Sequence, residues 1–185
     1  MAELQHAVRI HLFARECVYR LGAEALHWRG GDAEGQAAYG EIVKVWLMRY
    51  TGGGGETGQC VVTFKSGKSV KVRSHHYVSL GQFESRAETY VPFVRALCAR
   101  VASANPQAAF VSGSTALRRV WLVVLLLLLA VLLVVGMAAY DGELAWSSGA
   151  LFLVFWIGSA LFAWRSLQAN RLQSFDPGKP PVEGF

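Results

Sequence analysis

Three short stretches of this sequence carry residue types that could do chemistry. The first is YTGGGGETGQC, residues 50–60. Gly53 to Gly58 matches the dinucleotide pattern G-x-G-x-x-G literally, and Gly53 and Gly58 have the outer spacing of a phosphate loop. Such loops work because backbone amides converge on phosphate just ahead of a helix, with a Lys and a hydroxyl following the last glycine. Here Gln59 and Cys60 fill those places, and a strand pattern follows. Gly67-Lys68-Ser69 supplies the missing ending, but Val62 stands where its first glycine belongs. The glycine run is therefore read as a flexible connection between two strands.

The second stretch is His75-His76. Successive residues of a strand point to opposite faces, so this pair does not share a ligand shell. His6 and His11 are not linked to it by any motif. Cys17, Cys60 and Cys98 lack metal-ligand spacing and are odd in number. Cys60 and Cys98 fall at apolar positions and read as small core residues, kept reduced by a cytosolic setting. No Ser-His-Asp order, paired carboxylates or nucleophile elbow stands out. The expectation is no catalytic residue, no cofactor and no metal: not an enzyme.

The third stretch is basic. Lys65, Lys68, Lys71 and Arg73 lie within nine residues of QCVVTFKSGKSVKVRS. Val62 and Phe64 alternate with Thr63 and Lys65, Ser66-Gly67 turns, and Val70 and Val72 alternate with Lys71 and Arg73. That is the best hairpin signal in the chain. Lys71 and Arg73 share the outward face, Lys65 and Lys68 flank the turn, and His75 continues the row. The patch suits anionic headgroups or an acidic protein partner. An ordinary solvated face accounts for the same charges.

Other elements must position this hairpin. RECVYRL and LHWRG read as two extended segments around GAEA, and GDAEGQAAYG as a polar loop. EIVKVWLMRY is a strand rich in β-branched residues. Tyr90, Phe93, Val94, Leu97, Cys98 and Val101 then recur at three and four, with Arg95 and Arg100 opposite: an amphipathic helix ending at Asn105-Pro106. Ser85-x-x-Glu88 has the form of a capping box, but a start at Thr89 puts Pro92 in the first turn, where its missing N–H is harmless. QAAFVSG adds a last short strand.

Beyond Arg119 the composition changes. The chain is 53% hydrophobic with a positive mean hydropathy, above the roughly 45–50% usual in soluble domains. Residues 120–140 and 144–164 contain no charged side chain. About 20 apolar residues cross a bilayer core as a helix, so both read as spans, with Asp141, Gly142 and Glu143 as a tight turn. A soluble core around both helices would need more protein than this chain has. Arg118 and Arg119 precede the first span, Arg165 and Arg171 follow the second, and the turn carries only acids. Basic flanks stay on the cytoplasmic side, which places both termini there. Trp121, Tyr140, Trp146 and Trp164 lie near span ends, where aromatic rings favour the interface. The first 16 residues contain no long apolar run, so no cleaved signal peptide is expected and the first span is the insertion signal. Neither span holds an ionisable group to mark a transport route; Ser159-x-x-x-Ala163 is a weak packing face.

Residues 1–119 hold 15 basic and 9 acidic side chains. Positive charge beside an anionic membrane is attractive; nucleic acid is not expected as a partner. The tail NRLQSFDPGKPPVEGF has three prolines and two glycines and reads as extended and irregular.

The segments YRLGAEALHWRG, GEIVKVWLMRY, CVVTFKSGKSVKV and ETYVPFVRALCARV, with Trp46 and the helix stripe sharing one core, resemble those of small bacterial membrane proteins. Such proteins have a cytoplasmic pleckstrin-homology-like domain followed by two transmembrane helices. The resemblance implies an α+β class: an antiparallel sheet or partial barrel capped by one C-terminal helix, then a transmembrane hairpin. The fold it implies has seven strands, of which five or six are legible here. The expected divisions are a cytoplasmic domain at 1–115, the hairpin at 116–166 and a flexible cytoplasmic tail at 167–185. The expected protein is a non-enzymatic, multi-pass protein of the cell inner membrane. Its module would serve a protein partner or anionic lipid headgroups; the alternative is an accessory subunit of a transport or enzyme complex, docking through the hairpin.

Overall fold

The computed structural model describes residues 4–30, 34–52, 55–140 and 146–182. The chain divides into two compact units, Met1–Gly113 with Gln173–Phe185, and Ser114–Leu172.

Unit 1 is mixed α+β. β1 (Leu4–Val8), β2 (Cys17–Leu21), β3 (Ala25–Arg29) and β4 (Gly35–Ala38) form an antiparallel meander in that order. After a 3-10 turn at Tyr39–Glu41 come β5 (Ile42–Gly52), β6 (Gly55–Phe64) and β7 (Ser69–Arg73), antiparallel neighbours in a second sheet. β8 (His75–Ser79) and β9 (Gln82–Ser85) make a separate hairpin, followed by α1 (Ala87–Ala104) and β10 (Ala109–Ser112). β10 adds to the second sheet parallel to β5, and β11 (Gln173–Ser174) pairs with β10.

The alternation that suggests strands also builds the core. Tyr19 and Leu21 of β2 face inward, as do Val45 and Leu47 of β5, Val62 and Phe64 of β6, and Val72 of β7. They share one core with Tyr90, Phe93, Val94, Leu97, Cys98 and Val101 of α1, each without exposed surface. The inward face of α1 is therefore the stripe read from the sequence. Arg100, on the other side of that reading, is only half exposed and donates to the Gly22 carbonyl and to the Tyr39 hydroxyl at 3.1 Å.

Several expectations are corrected. The helix does not close the domain, because β10 and β11 come after it. Among the described residues nine strands, not five or six, precede α1, and the polar loop at 31–40 contains β4. Trp46 lies outside the core: its neighbours Val45 and Leu47 point inward, and its Nε1–H donates to the Gly113 carbonyl at 2.6 Å. α1 starts at Ala87, two residues before Thr89, with no side-chain cap. The start is fixed by tertiary contact instead, since Arg86 N–H donates to the Ser74 carbonyl at 2.7 Å and Tyr90 N–H to the Arg86 carbonyl at 2.9 Å.

The tail also differs from expectation. α3 runs to Ala169, and Gln173–Ser174 then enters the sheet of unit 1. Phe175 meets Phe110 edge to face at 5.8 Å, and Val182 has no exposed surface. Asp176-Pro177-Gly178 is a turn, with Asp176 Oδ1 accepting from Gly178 N–H at 2.9 Å. Pro and Gly here set a bend that returns the chain to the core.

Unit 2 consists of α2 (Thr115–Tyr140) and α3 (Trp146–Ala169). The expected turn at 141–143 lies outside the described residues. Trp156 Nε1–H donates to the Leu128 carbonyl at 2.8 Å, and Trp121 meets Phe162 edge to face at 5.4 Å. These pairings run in opposite directions along the two helices, which are antiparallel. Both are long and apolar enough to cross a membrane. Side chains such as Leu126, Leu127 and Val134 of α2 and Val154 and Phe155 of α3 are exposed.

Candidate functional site

The glycine run is the end of a long hairpin. Gly52 pairs with Gly55, and β6 follows directly, so no helix terminus is available to meet a phosphate. Gly53 and Gly54 themselves lie outside the described residues.

The basic hairpin is formed as expected, with Val62 opposite Val70 and Cys60 opposite Val72. Its turn is closed by Gly67 N–H to the Phe64 carbonyl and Phe64 N–H to the Lys68 carbonyl, each 2.9 Å. Gly67 has φ +80°, where a side chain would be strained. Lys65, Lys68 and Lys71 are exposed. They lie on or beside β7, an edge strand, where lysines also guard against pairing with other chains.

Arg73 does not join them. It is half-buried, and its Nε is enclosed with no hydrogen-bond partner. Its carbonyl and that of Lys71 face the first sheet: Tyr19 Oη–H donates to Lys71 O at 2.8 Å, and His6 Nε2–H to Arg73 O at 2.7 Å. His75, placed in the same outward row by the sequence, belongs instead to β8 and lies beside Ser74 Oγ at 3.0 Å.

His6 is a buried polar residue to which the sequence gives no role. It is 1% exposed, among Tyr19, Tyr90 and Phe93. Because a carbonyl only accepts, Nε2 carries the proton, and Nδ1 accepts from Thr89 Oγ1 at 2.9 Å. Burial holds its pKa below the ordinary imidazole value, against the bond to Arg73, which raises it; the Arg86 charge lowers it further. The unfolded chain therefore takes up a proton below about pH 6.5 that the folded protein refuses. Stability should fall as pH drops through that region, by at most about 1.4 kcal/mol per pH unit. His75, lowered by partial burial, adds an effect of the same sign. Denaturant midpoints between pH 7.5 and 5.5 test this: His6→Gln should flatten most of the slope, and an unchanged slope would assign it elsewhere.

His76 and Glu16 stand 3.8 Å apart. Among the described residues, no group of three or more His, Cys, Asp or Glu side chains is placed to hold a metal. The three cysteines are buried and free, and burial raises all three thiols, Cys98 to about 12. Such thiols stay protonated and poorly nucleophilic at neutral pH.

An open cleft of about 790 Å³ lies on the outer face of the first sheet. Cross-strand pairing aligns Gln5, Arg20, His27 and Gln36 along it. The row offers hydrogen bonds to a polar group but no nucleophile beside a base. It is not legible in the sequence, because β1 and β4 carry no clear strand pattern of their own. In unit 2, Arg118 and Arg119 near the start of α2, and Arg165 and Arg171 near or just past the end of α3, are exposed. The antiparallel pairing brings all four to one end of the helix pair.

No protein family, no curated protein and no solved structure matches the chain.

Proposed function

We propose that this chain is a non-enzymatic integral membrane protein of the inner membrane, with both termini cytoplasmic, whose unit 1 is an interaction module for the anionic membrane surface. One observation carries the reading: a folded unit with Lys65, Lys68 and Lys71 exposed on one hairpin is joined to two helices apolar enough to span a bilayer. The four arginines at one end of the helix pair support the orientation. The pleckstrin-homology-like reading draws on β1–β4 and β5–β7 forming two antiparallel groups ahead of α1, with β8–β9, β10 and β11 as additions.

Amide exchange on the full-length protein in nanodiscs tests the surface contact. Residues 64–71 should exchange more slowly in discs containing anionic lipid than in purely zwitterionic discs. Equal exchange in both would reject the lipid reading and leave a protein partner as the module's target.

A further inference from the structure

Two turns of unit 1 carry large apolar side chains at their tips. The β1–β2 connection turns at His11–Ala14, closed by Ala14 N–H to the His11 carbonyl at 3.0 Å. Its central residues are Leu12, 56% exposed, and Phe13, 90% exposed. The β8–β9 hairpin turns at Leu80-Gly81, where Gly81 has φ +76° and Leu80 is 92% exposed. Turn centres ordinarily hold Gly, Pro, Asn, Asp or Ser. Leu and Phe there leave apolar surface in water, with no gain to folding.

The two turns leave the body side by side. Arg9, at the end of β1, donates from Nε to the Tyr77 carbonyl at 3.0 Å and from Nη2 to the Val78 carbonyl at 2.8 Å. Tyr77 N–H returns a bond to the Arg9 carbonyl at 2.8 Å, and the guanidinium lies 5.5 Å from the Tyr77 ring centre. Tyr77 and Phe83 brace the hairpin base edge to face at 5.6 Å. Two guanidinium groups, Arg9 and Arg15, lie within three residues of the first tip along the chain. Of the nearby acids, Glu84 pairs with Arg86 at 3.0 Å.

We propose that Leu12, Phe13 and Leu80 form a two-pronged wedge that enters the interfacial layer of a lipid bilayer. Apolar tips with cationic shoulders match that layer, since apolar groups reach the acyl boundary while guanidinium groups stay among headgroups. The proposal rests on reading α2 and α3 as spans, because a module tethered to a bilayer meets its surface at high effective concentration. It does not rest on the lysine hairpin, whose turn is Ser66-Gly67 and carries no apolar tip.

The test uses full-length protein reconstituted in vesicles, with a nitroxide attached at Phe13→Cys, Leu80→Cys or, as a control, Gln36→Cys. The natural cysteines are buried, so labelling is selective. At positions 13 and 80, collisions with oxygen dissolved in lipid should exceed those with a water-soluble nickel chelate, and the ratio should be severalfold above that at position 36. Insertion in both zwitterionic and anionic vesicles supports the wedge even where the lysine contact fails. Insertion only in anionic vesicles supports it with a required electrostatic approach. Nickel-dominated collisions at both tips in both compositions overturn it, whatever the lysine hairpin does.

Discussion

Truncation after Leu172 should destabilise unit 1 by about 4 kcal/mol, although the residues removed read as an irregular tail. Val182 is fully buried, and burial of a Val side chain contributes about 1.5–3 kcal/mol. The Phe175–Phe110 pair adds about 0.5–1.5 kcal/mol. Bonds such as Phe175 N–H to the Phe110 carbonyl, 3.1 Å, contribute about 1 kcal/mol each. Against a typical total of about 5–15 kcal/mol, this loss raises the unfolded fraction about a thousandfold. Denaturant unfolding in detergent, followed by tryptophan fluorescence, measures it. Phe175→Ala alone should reproduce a smaller part of the loss. An unchanged midpoint after truncation would show that the returning segment contributes no stability.

Lys68→Glu with Lys71→Glu should abolish the contact of the lysine hairpin with anionic bilayers. The pair changes the local charge by four units, each worth about 1 kcal/mol near such a surface, so the docked state loses about a thousandfold in population. Both side chains are exposed, and the fold should be unaffected. Arg73 is left alone because its buried Nε would turn a charge reversal into a folding defect. The protection of residues 64–71 in anionic nanodiscs should vanish in the variant. In wild type it should weaken with added salt, as exposed charges are screened. Protection that survives the double change would move the contact to another face.

Some of this architecture is legible in the sequence, and the rest is hidden for identifiable physical reasons. The two apolar helices are clear because each is an uncharged apolar run of about 20 residues, the length that crosses a bilayer core. The stripe of α1 and the alternation of β6 and β7 are clear because each buries one face and exposes the other. β4 is hidden in a Gly- and Ala-rich stretch, GQAA, whose pattern is weak although Ala37 is buried. β9 is hidden because all four of its residues are exposed. The return of residues 173–182 has no local signal, since its partners lie more than 60 positions away. In the candidate site, Lys71 is exposed, as strand alternation implies, and so are Lys65 and Lys68 beside the turn. Arg73 is not, because alternation gives a face but not the depth to which a neighbouring sheet covers it. His6 carries no local signal: its role depends on Arg73 and Thr89, 67 and 83 residues distant.

Sidedness of the module tests the account most directly. A Lys68→Cys variant of the full-length chain presents one exposed thiol beside three buried ones. A membrane-impermeant maleimide should label it in inverted inner-membrane vesicles and not in intact cells, and the chain should remain in the membrane pellet after alkaline extraction. Labelling from outside intact cells, or release of the chain by alkali, would contradict the account.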